Sequence, residues 1–418
     1  MSHRYPRSVR HPRSVRHPRP ARARQAGFTL VELMVALTIG ALVVAAMFSI
    51  GGASARHFQE QQRVGVTQRS VRQAMNRIRR DVARAGYLHV PHHLAPGVNT
   101  CPAPAVPREV PAVWFDDADS EGVAALDAIN RAQNGVSADR LRLIGNYASG
   151  DDYLTSSLDG AGDTLFLQTD WLAFRRSFLL TGASGTVVDR DRFEDTVFRP
   201  GSMLRIHVPE TGREFFVTVS AASLDATGAR ASIDFRPALP LDSECFSGLG
   251  RGTLVTPLSW IEYALIASPT DSTMESNAAT VTGANTLLVR RELDMSDATG
   301  ATVLAGTQRT ILEYAVNFNL DFIVDTNLVP GAPPVVSIES GNAAEGIVQA
   351  RPWQVRGAIV SLAARTPEQD ARFPWPDAWS SARPAAAPLN RYRVFAGRPG
   401  AARVRSLVTE VQMPNLIP

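Results

Sequence analysis

The chain has 418 residues, 44% of them hydrophobic, so it is long enough to bury one large core or two smaller ones. Its formal net charge of +3 is unevenly distributed: residues 1–27 contain eight Arg and no acidic residue, whereas residues 88–418 contain 27 Arg and 37 acidic residues. Because the larger part is acidic, we expect no nucleic acid among its partners. All 43 basic residues are arginine, which excludes a P-loop lysine and a Schiff-base lysine.

The N-terminal region is rich in Pro and Arg, and residues 6–11 and 12–17 both read Pro-Arg-Ser-Val-Arg-His. Such a composition cannot pack a hydrophobic core, so we predict a disordered leader peptide over residues 1–27. Its positive charge, placed before an apolar run, indicates a leader held in the cytoplasm by the positive-inside rule. An alternative is that translation starts further downstream, so that part of this leader is never made.

An apolar run over residues 28–50 carries a single charge, that of Glu32. The eighteen residues that follow Glu32 would span about 27 Å as a helix, close to the thickness of a bilayer core. We therefore predict a single membrane-spanning helix over residues 28–50. A carboxylate near the start of such a helix costs a few kcal/mol in lipid, so we expect Glu32 to have a partner.

Residues 27–33 read Gly-Phe-Thr-Leu-Val-Glu-Leu, which resembles the class III signal of type IV prepilins and pseudopilins. The resemblance implies that prepilin peptidase cuts between Gly27 and Phe28, and that the new N-terminal Phe28 is N-methylated. It also implies that Glu32, the fifth mature residue, pairs with the N-terminal amine of a neighbouring subunit. The implied partners are prepilin peptidase, the inner membrane and other pilins, which would be contacted through the first helix.

Residues 51–87 read as the amphipathic second half of the same helix. Val71, Met75, Ile78 and Val82 recur at spacings of 4, 3 and 4, which predicts an apolar stripe packed on the following domain. We interpret the arginines on the other faces as a solvated basic surface, with partner binding as the alternative. These arginines are Arg72, Arg77, Arg79, Arg80 and Arg84.

Three glycines bear on this helix. Gly51 and Gly52 predict a weak point at the membrane exit, because paired glycines lower helix propensity. Gly86 is the predicted C-cap.

From residue 88 onward the pattern changes to short strands and turns, which predicts a β-rich periplasmic or extracellular domain over residues 88–418. The clearest half-buried strand is residues 314–322, where apolar and polar side chains alternate. Further strands are predicted at 141–143, 165–167, 204–208, 215–219, 358–362 and 407–413. Residues 366–400 are predicted to form a long surface loop. The predicted fold class is α+β, with a long N-terminal helix packed on an antiparallel sheet, as in pilins.

Further segments of the chain resemble the PilW-like minor pilins. Residues 75–87, which end in Asp-Val-Ala-Arg-Ala-Gly-Tyr, are similar to that family's helix end. Residues 134–141 are similar to its turn into a strand, and residues 288–291 followed by 311–322 match it loosely. This resemblance implies a minor pilin and is strongest in the N-terminal helix.

The two cysteines, Cys101 and Cys245, both follow the apolar run. In an oxidising compartment they can form a disulfide that closes a long loop, and the alternative is two unpaired thiols. The chain lacks the cysteine that often follows the Ala-Gly-aromatic sequence in PilW-like proteins, so no family disulfide carries over.

Motifs that carry catalytic chemistry are missing from the sequence. It contains no His-Glu-x-x-His, no Gly-x-Ser-x-Gly and no paired Cys-x-x-Cys. The glycine-rich residues 248–252 open no predicted helix, which argues against a phosphate site. We therefore predict that the chain is not an enzyme and uses no cofactor.

Two segments deserve comparison with metal sites. His89, His92, His93 and Cys101 are candidate metal ligands, but we favour a histidine-bearing surface loop. Residues 117–122 resemble the start of a calcium loop, yet the bidentate acid required at its twelfth position is replaced by alanine. We favour a solvated acidic turn there and predict no metal.

The leading hypothesis is a minor pilin that joins or primes a type IV pilus, anchored in the bacterial inner membrane with its C-terminal domain in the periplasm. A J-type pseudopilin of a type II secretion system shares the same signal and plan. A third hypothesis is a secreted protein with an ordinary signal peptide cut after Ala55, which would leave Glu32 inside the apolar segment without a role.

Overall fold

The computed structural model describes residues 28–88, 111–117, 132–182, 185–239, 241, 248–267, 285–296, 302–327, 333–384, 386–395 and 397–416. The chain divides into two compact units, Met1–Gln61 and Gln62–Pro418. The first unit contains the N-terminal part of one long helix. The second contains the rest of that helix and every described strand.

Helix α1, Leu30–Ala83, is continuous through Gly51 and Gly52. Within the second unit, the predicted apolar stripe is confirmed: Val71, Met75, Ile78 and Val82 are all buried. Their 3.6-residue periodicity places them on one face of the helix, where they share a core with strands from two sheets.

The end of α1 is a tightened turn. The backbone amides of Arg84 and Ala85 donate to carbonyls three residues back, each at 3.1 Å, so the last turn narrows toward 3₁₀ geometry. Gly86 follows with a φ of 75°, the left-handed conformation predicted for it, although it lies beyond Ala83, the last helical residue. A Cβ at Gly86 would lie 2.9 Å from Cδ2 of Leu416 and 3.1 Å from the carbonyl oxygen of Asn415, so a larger residue there would require these neighbours to shift.

The central sheet is antiparallel and has the strand order β1-β2-β10-β11-β12. Its strands are β1 (Val113–Asp116), β2 (Arg140–Gly145), β10 (Leu254–Ala267), β11 (Thr286–Leu293) and β12 (Arg309–Glu313). Only the second part of β10 belongs to this sheet, since its residues 259–263 pair with β2 and 260–267 pair with β11.

The C-terminal sheet is also antiparallel, with the order β14-β13-β15-β17-β16. Its strands are β13 (Ala315–Asp325), β14 (Val336–Ser340), β15 (Val355–Arg365), β16 (Arg391–Tyr392) and β17 (Ala402–Gln412). Helix α3, Gly341–Ala350, follows β14, and short 3₁₀ turns lie at Pro352–Gln354, Asp377–Trp379 and Pro414–Leu416. The inner face of this sheet shares its core with α1 and the central sheet.

A six-stranded antiparallel barrel is inserted between β2 and β10. The first part of β10 pairs with β3 at Leu254 and Val255, and with β7 over 254–258, which closes the ring β10-β3-β4-β9-β8-β7. The other barrel strands are β3 (Tyr153–Leu158), β4 (Thr164–Leu167), β7 (Met203–Val208), β8 (Arg213–Leu224) and β9 (Ala231–Arg236). Closure removes the exposed edges that an open sheet of these strands would have.

The barrel has its own core, built largely from aromatic rings. Helix α2 (Leu172–Phe178), the hairpin β5 (Leu179–Gly182) and β6 (Gly185–Val188), and a π-helical turn (Arg192–Val197) contribute to this part of the chain. Phe178 and Phe193 pack edge to face with ring centroids 5.0 Å apart. Burial raises the pKa of Tyr153, whose hydroxyl lies 3.1 Å from Oγ of Ser177.

The predicted α+β class is confirmed by the long N-terminal helix and the antiparallel β-rich domain that follows. The predicted alternation at 314–322 lies in β13, where Phe318, Leu320 and Phe322 are buried. The prediction of a simple surface loop at 366–400 was incomplete. The described part is largely irregular, but Tyr392 and Val394 are buried and pack in one cluster with strands of the C-terminal sheet.

Candidate functional site

The N-terminal part of α1 is an apolar surface open to its surroundings. Phe28 is 83% exposed, and Leu42 and Phe48 are 71% and 78% exposed. Within the described residues, α1 is the one helix that is long and apolar enough to cross a membrane. A helix that exposes leucine, valine and phenylalanine on every side is suited to the apolar interior of a lipid bilayer rather than to water.

Thr29 and Glu32 form a reciprocal capping box at the start of α1. The Thr29 amide donates to Oε2 of Glu32 at 3.0 Å, and the Glu32 amide donates to Oγ1 of Thr29 at 3.3 Å. The Thr29 hydroxyl also donates to Oε2 of Glu32 at 3.0 Å. These bonds satisfy amides that the first helical turn leaves without partners. The lone carboxylate of the apolar run is therefore hydrogen-bonded next to the predicted cleavage point.

At the other end of α1, Asp81 is buried among groups from the central sheet. Its Oδ2 atom accepts hydrogen bonds from Nε of Arg290 and from the hydroxyl of Tyr263, each at 2.8 Å. Arg77, one turn earlier on the helix, lies 3.6 Å from the same oxygen. Burial and the negative charge of Asp81 both raise the pKa of Tyr263 far above its usual value. Burial alone would lower the pKa of Arg290, but the neighbouring Asp81 carboxylate outweighs it and raises that pKa.

A second buried carboxylate, Glu262, lies on β10 with arginines from two neighbouring strands. Its Oε2 accepts a hydrogen bond from Nε of Arg142 on β2 at 2.9 Å, and its Oε1 accepts one from Nε of Arg291 on β11 at 2.6 Å. Arg140 adds a third guanidinium at 3.8 Å. Because Glu262 is only 1% exposed, this charge is stable inside the protein only while its cationic partners remain in place.

The segments that resemble PilW-like proteins meet in this region. Asp81, from residues 75–87, contacts Arg290, from residues 288–291. The amide of Asp139 donates to the carbonyl of Phe318 at 2.8 Å, and the amide of Leu320 donates to Oδ2 of Asp139 at 2.7 Å. Residues 134–141 are thereby joined to residues 311–322. These segments are separated in sequence, but together they hold the end of α1 on the sheets.

Several predicted residues lie outside the part of the chain that the structure describes. These are Gly27, Cys101 and Cys245, together with His89, His92 and His93. Cleavage after Gly27 and the disulfide therefore stay predictions. Of the calcium-like segment 117–122, only Asp117 is described, and the described residues contain no group of three or more metal-ligating side chains.

The glycine-rich segment 248–252 leads directly into strand β10. Gly248, Gly250 and Gly252 all have positive φ, and the Gly252 amide donates to the carbonyl of Thr155 at 2.9 Å. These glycines shape the turn that brings β10 back beside β3.

Sequence reasoning missed Thr29, Tyr263 and Glu262 as functional or structural partners. Thr29 could have been found, since a threonine three residues before a glutamate at the start of an apolar run is a capping-box signal. Tyr263 and Glu262 carry no such local signal, because each meets its partners only after the sheet has formed.

One comparison with known protein families gives a match at the N-terminus. The model described as the prokaryotic N-terminal methylation motif matches residues 22–48, a segment that contains Gly27, Phe28 and Glu32. A search of curated proteins gives no match to this chain. The chain therefore carries a type IV pilin-like prepilin signal, followed by an apolar helix of membrane-spanning length and an antiparallel β-rich domain.

Proposed function

We propose that the chain is a minor pilin that takes part in assembling or priming a type IV pilus. It is inserted in the bacterial inner membrane by residues 28–50, with the β-rich domain in the periplasm, before incorporation into the pilus. The observation that carries the proposal is the position of Glu32, the single charge of the apolar run, inside the matched motif and four residues after Phe28.

In this proposal, prepilin peptidase cuts between Gly27 and Phe28 and leaves a charged amine on Phe28. In an isolated subunit, Thr29 supplies the hydrogen bonds to Glu32. In lipid, the ammonium of a neighbouring subunit is a stronger partner than a hydroxyl, because opposite charges attract strongly at low dielectric. A subunit inserted out of register would leave its carboxylate without that ammonium, so Glu32 sets the register of packing.

The β-rich domain has a non-enzymatic role in this proposal. The buried contacts of Asp81 with Arg290 and Tyr263 hold the end of α1 on the central sheet. The membrane helix supplies the packing contacts between subunits.

The signal and the helix-plus-sheet plan also support a J-type pseudopilin of a type II secretion system. Deleting the gene in the native host separates the two functions. Loss of surface pili with normal protein secretion supports the minor pilin. Loss of secretion with normal piliation would overturn it in favour of the pseudopilin, and normal levels of both would contradict both assignments.

A further inference from the structure

The outer face of the C-terminal sheet leaves apolar side chains uncovered. Alternation along β13 points Phe318, Leu320 and Phe322 into the core, so Asp321 lies on the opposite face. Register places Asp321 opposite Ile359 of β15, and Ile359 opposite Glu410 of β17. Three large apolar side chains on this sheet's strands are highly exposed: Val336 at 56%, Ile338 at 63% and Val408 at 59%.

Among the described residues, the irregular segment after β15 packs on one end of this outer face. Tyr392 and Val394 pack with Ala363, Ala402 and Val404 at that end. At the other end lie Val336, Ile338, Asp321, Ile359, Val408 and Glu410, which we call the uncovered sheet face. Burial raises the pKa of Asp321, which reflects its partly apolar surroundings. The uncovered sheet face thus combines exposed apolar side chains with two acidic groups, and the strand register also places Ser340 and Ser361 on it.

The solvent side of α1 has the opposite charge. Arg69, Arg72, Arg79 and Arg80 are exposed on the part of α1 that lies in the second unit, and we call them the arginine face. The sequence between Glu60 and Asp81 contains no acidic residue. Arg69 and Arg72 lie three positions apart, and like charges that are neighbours on a helix surface destabilise it by about 0.2–0.5 kcal/mol, so this pair is unfavourable for the isolated subunit.

We propose that the arginine face of α1 in one copy of this chain docks on the uncovered sheet face of a second copy. The guanidinium groups meet Asp321 and Glu410, and the arginine stems, with the exposed Val66, cover Ile338 and Val408. Because the two surfaces differ, the contact is heterologous and leaves one surface of each kind free for a further subunit. The inference rests on the proposed function, since both place the chain in a helical assembly.

Photo-cross-linking in membranes tests this contact with the full-length protein. Two differently tagged copies are co-expressed, one carrying a photoreactive amino acid in place of Gln73, which is exposed on α1 between Arg69 and Arg80. We expect a cross-link between the two tags. The double reversal Arg69→Glu and Arg72→Glu should lower its yield about tenfold, because it turns attraction into repulsion. Arg309→Glu, at an exposed arginine on β12, is the matched control and should leave the yield unchanged.

A charge swap distinguishes docking from misfolding. Glu410→Arg in the second copy should lower the yield with an unmodified partner and restore much of it with the Arg69→Glu, Arg72→Glu partner. An unchanged yield in the reversed variants, or a cross-link to some other protein and never to the second copy, would overturn the proposal. The same blots also show whether the leader has been removed, because removal makes the protein smaller. A protein that loses its leader but gives no cross-link therefore contradicts the docking contact and not the prepilin assignment.

Discussion

Oδ2 of Asp81 lies 2.8 Å from Nε of Arg290, a contact between residues 209 positions apart. It joins the last full turn of α1 to strand β11, and the Tyr263 hydroxyl completes the surroundings of the same oxygen. The end of the helix is therefore held on the sheet by a buried charge pair in addition to its apolar stripe.

Asp81→Asn should strongly destabilise the domain. The change removes the closer counter-charge of the buried Arg290, which keeps only Glu292 at 3.6 Å, and breaking one partner of a buried ion pair costs about 3–5 kcal/mol. Thermal unfolding of the purified protein in detergent, followed by circular dichroism, should show a clear fall in midpoint. Asp170→Asn, at an exposed aspartate, is the control and should change the midpoint little. An unfolding midpoint equal to the wild type would mean that this pair does not hold the helix.

Glu32→Ala should still be processed but should enter filaments poorly. Cleavage depends on the residues around the cut, whereas Glu32 is assigned to pairing between subunits. Sheared pili probed by immunoblot should contain several-fold less of this variant. Thr38→Ala removes a hydroxyl from the same apolar segment, one that bonds only to the Val35 carbonyl, and should behave as wild type. Wild-type incorporation of Glu32→Ala would contradict the pairing role.

Gly27→Trp should block maturation. A large side chain before the cut prevents the approach of the peptidase to the bond between residues 27 and 28, so only the full-length precursor should be seen on a blot. Gln25→Trp is the matched control. It introduces the same side chain two residues before Gly27, and this variant should be processed. Normal processing of Gly27→Trp would remove the argument for this cleavage site.

Cys101 and Cys245 should be joined by a disulfide in the exported protein. Closing a loop of more than a hundred residues can stabilise the domain by about 4–5 kcal/mol in the chain-entropy model. Non-reducing proteolysis and mass spectrometry should yield a cross-linked peptide containing both residues. Full alkylation of both thiols without a reductant would show that they are unpaired.

Local patterns predicted the helix stripe and strand β13, because each depends on side chains that are neighbours in sequence. The buried Val71 and Ile78 follow helical periodicity, and Phe318 follows strand alternation. The barrel could not be predicted in this way. It closes because Leu254 pairs with Leu154 on one side and His207 on the other, and such register is not encoded in any short segment.

The partners of the buried charged residues could not be predicted from short segments either. Arg290 and Arg291 were singled out by resemblance, but their partners Asp81 and Glu262 come from other elements. The contact between Thr29 and Glu32, in contrast, is local and has a readable signal.

The mature N-terminus is the most direct test of the central claim. The protein should be purified from membranes of its native host, and its N-terminal peptide should be identified by mass spectrometry. We expect a chain that begins at Phe28 and carries an N-methyl group. A chain that begins at Arg56, after an ordinary signal-peptide cut, or one that retains the leader through Gly27, would contradict it.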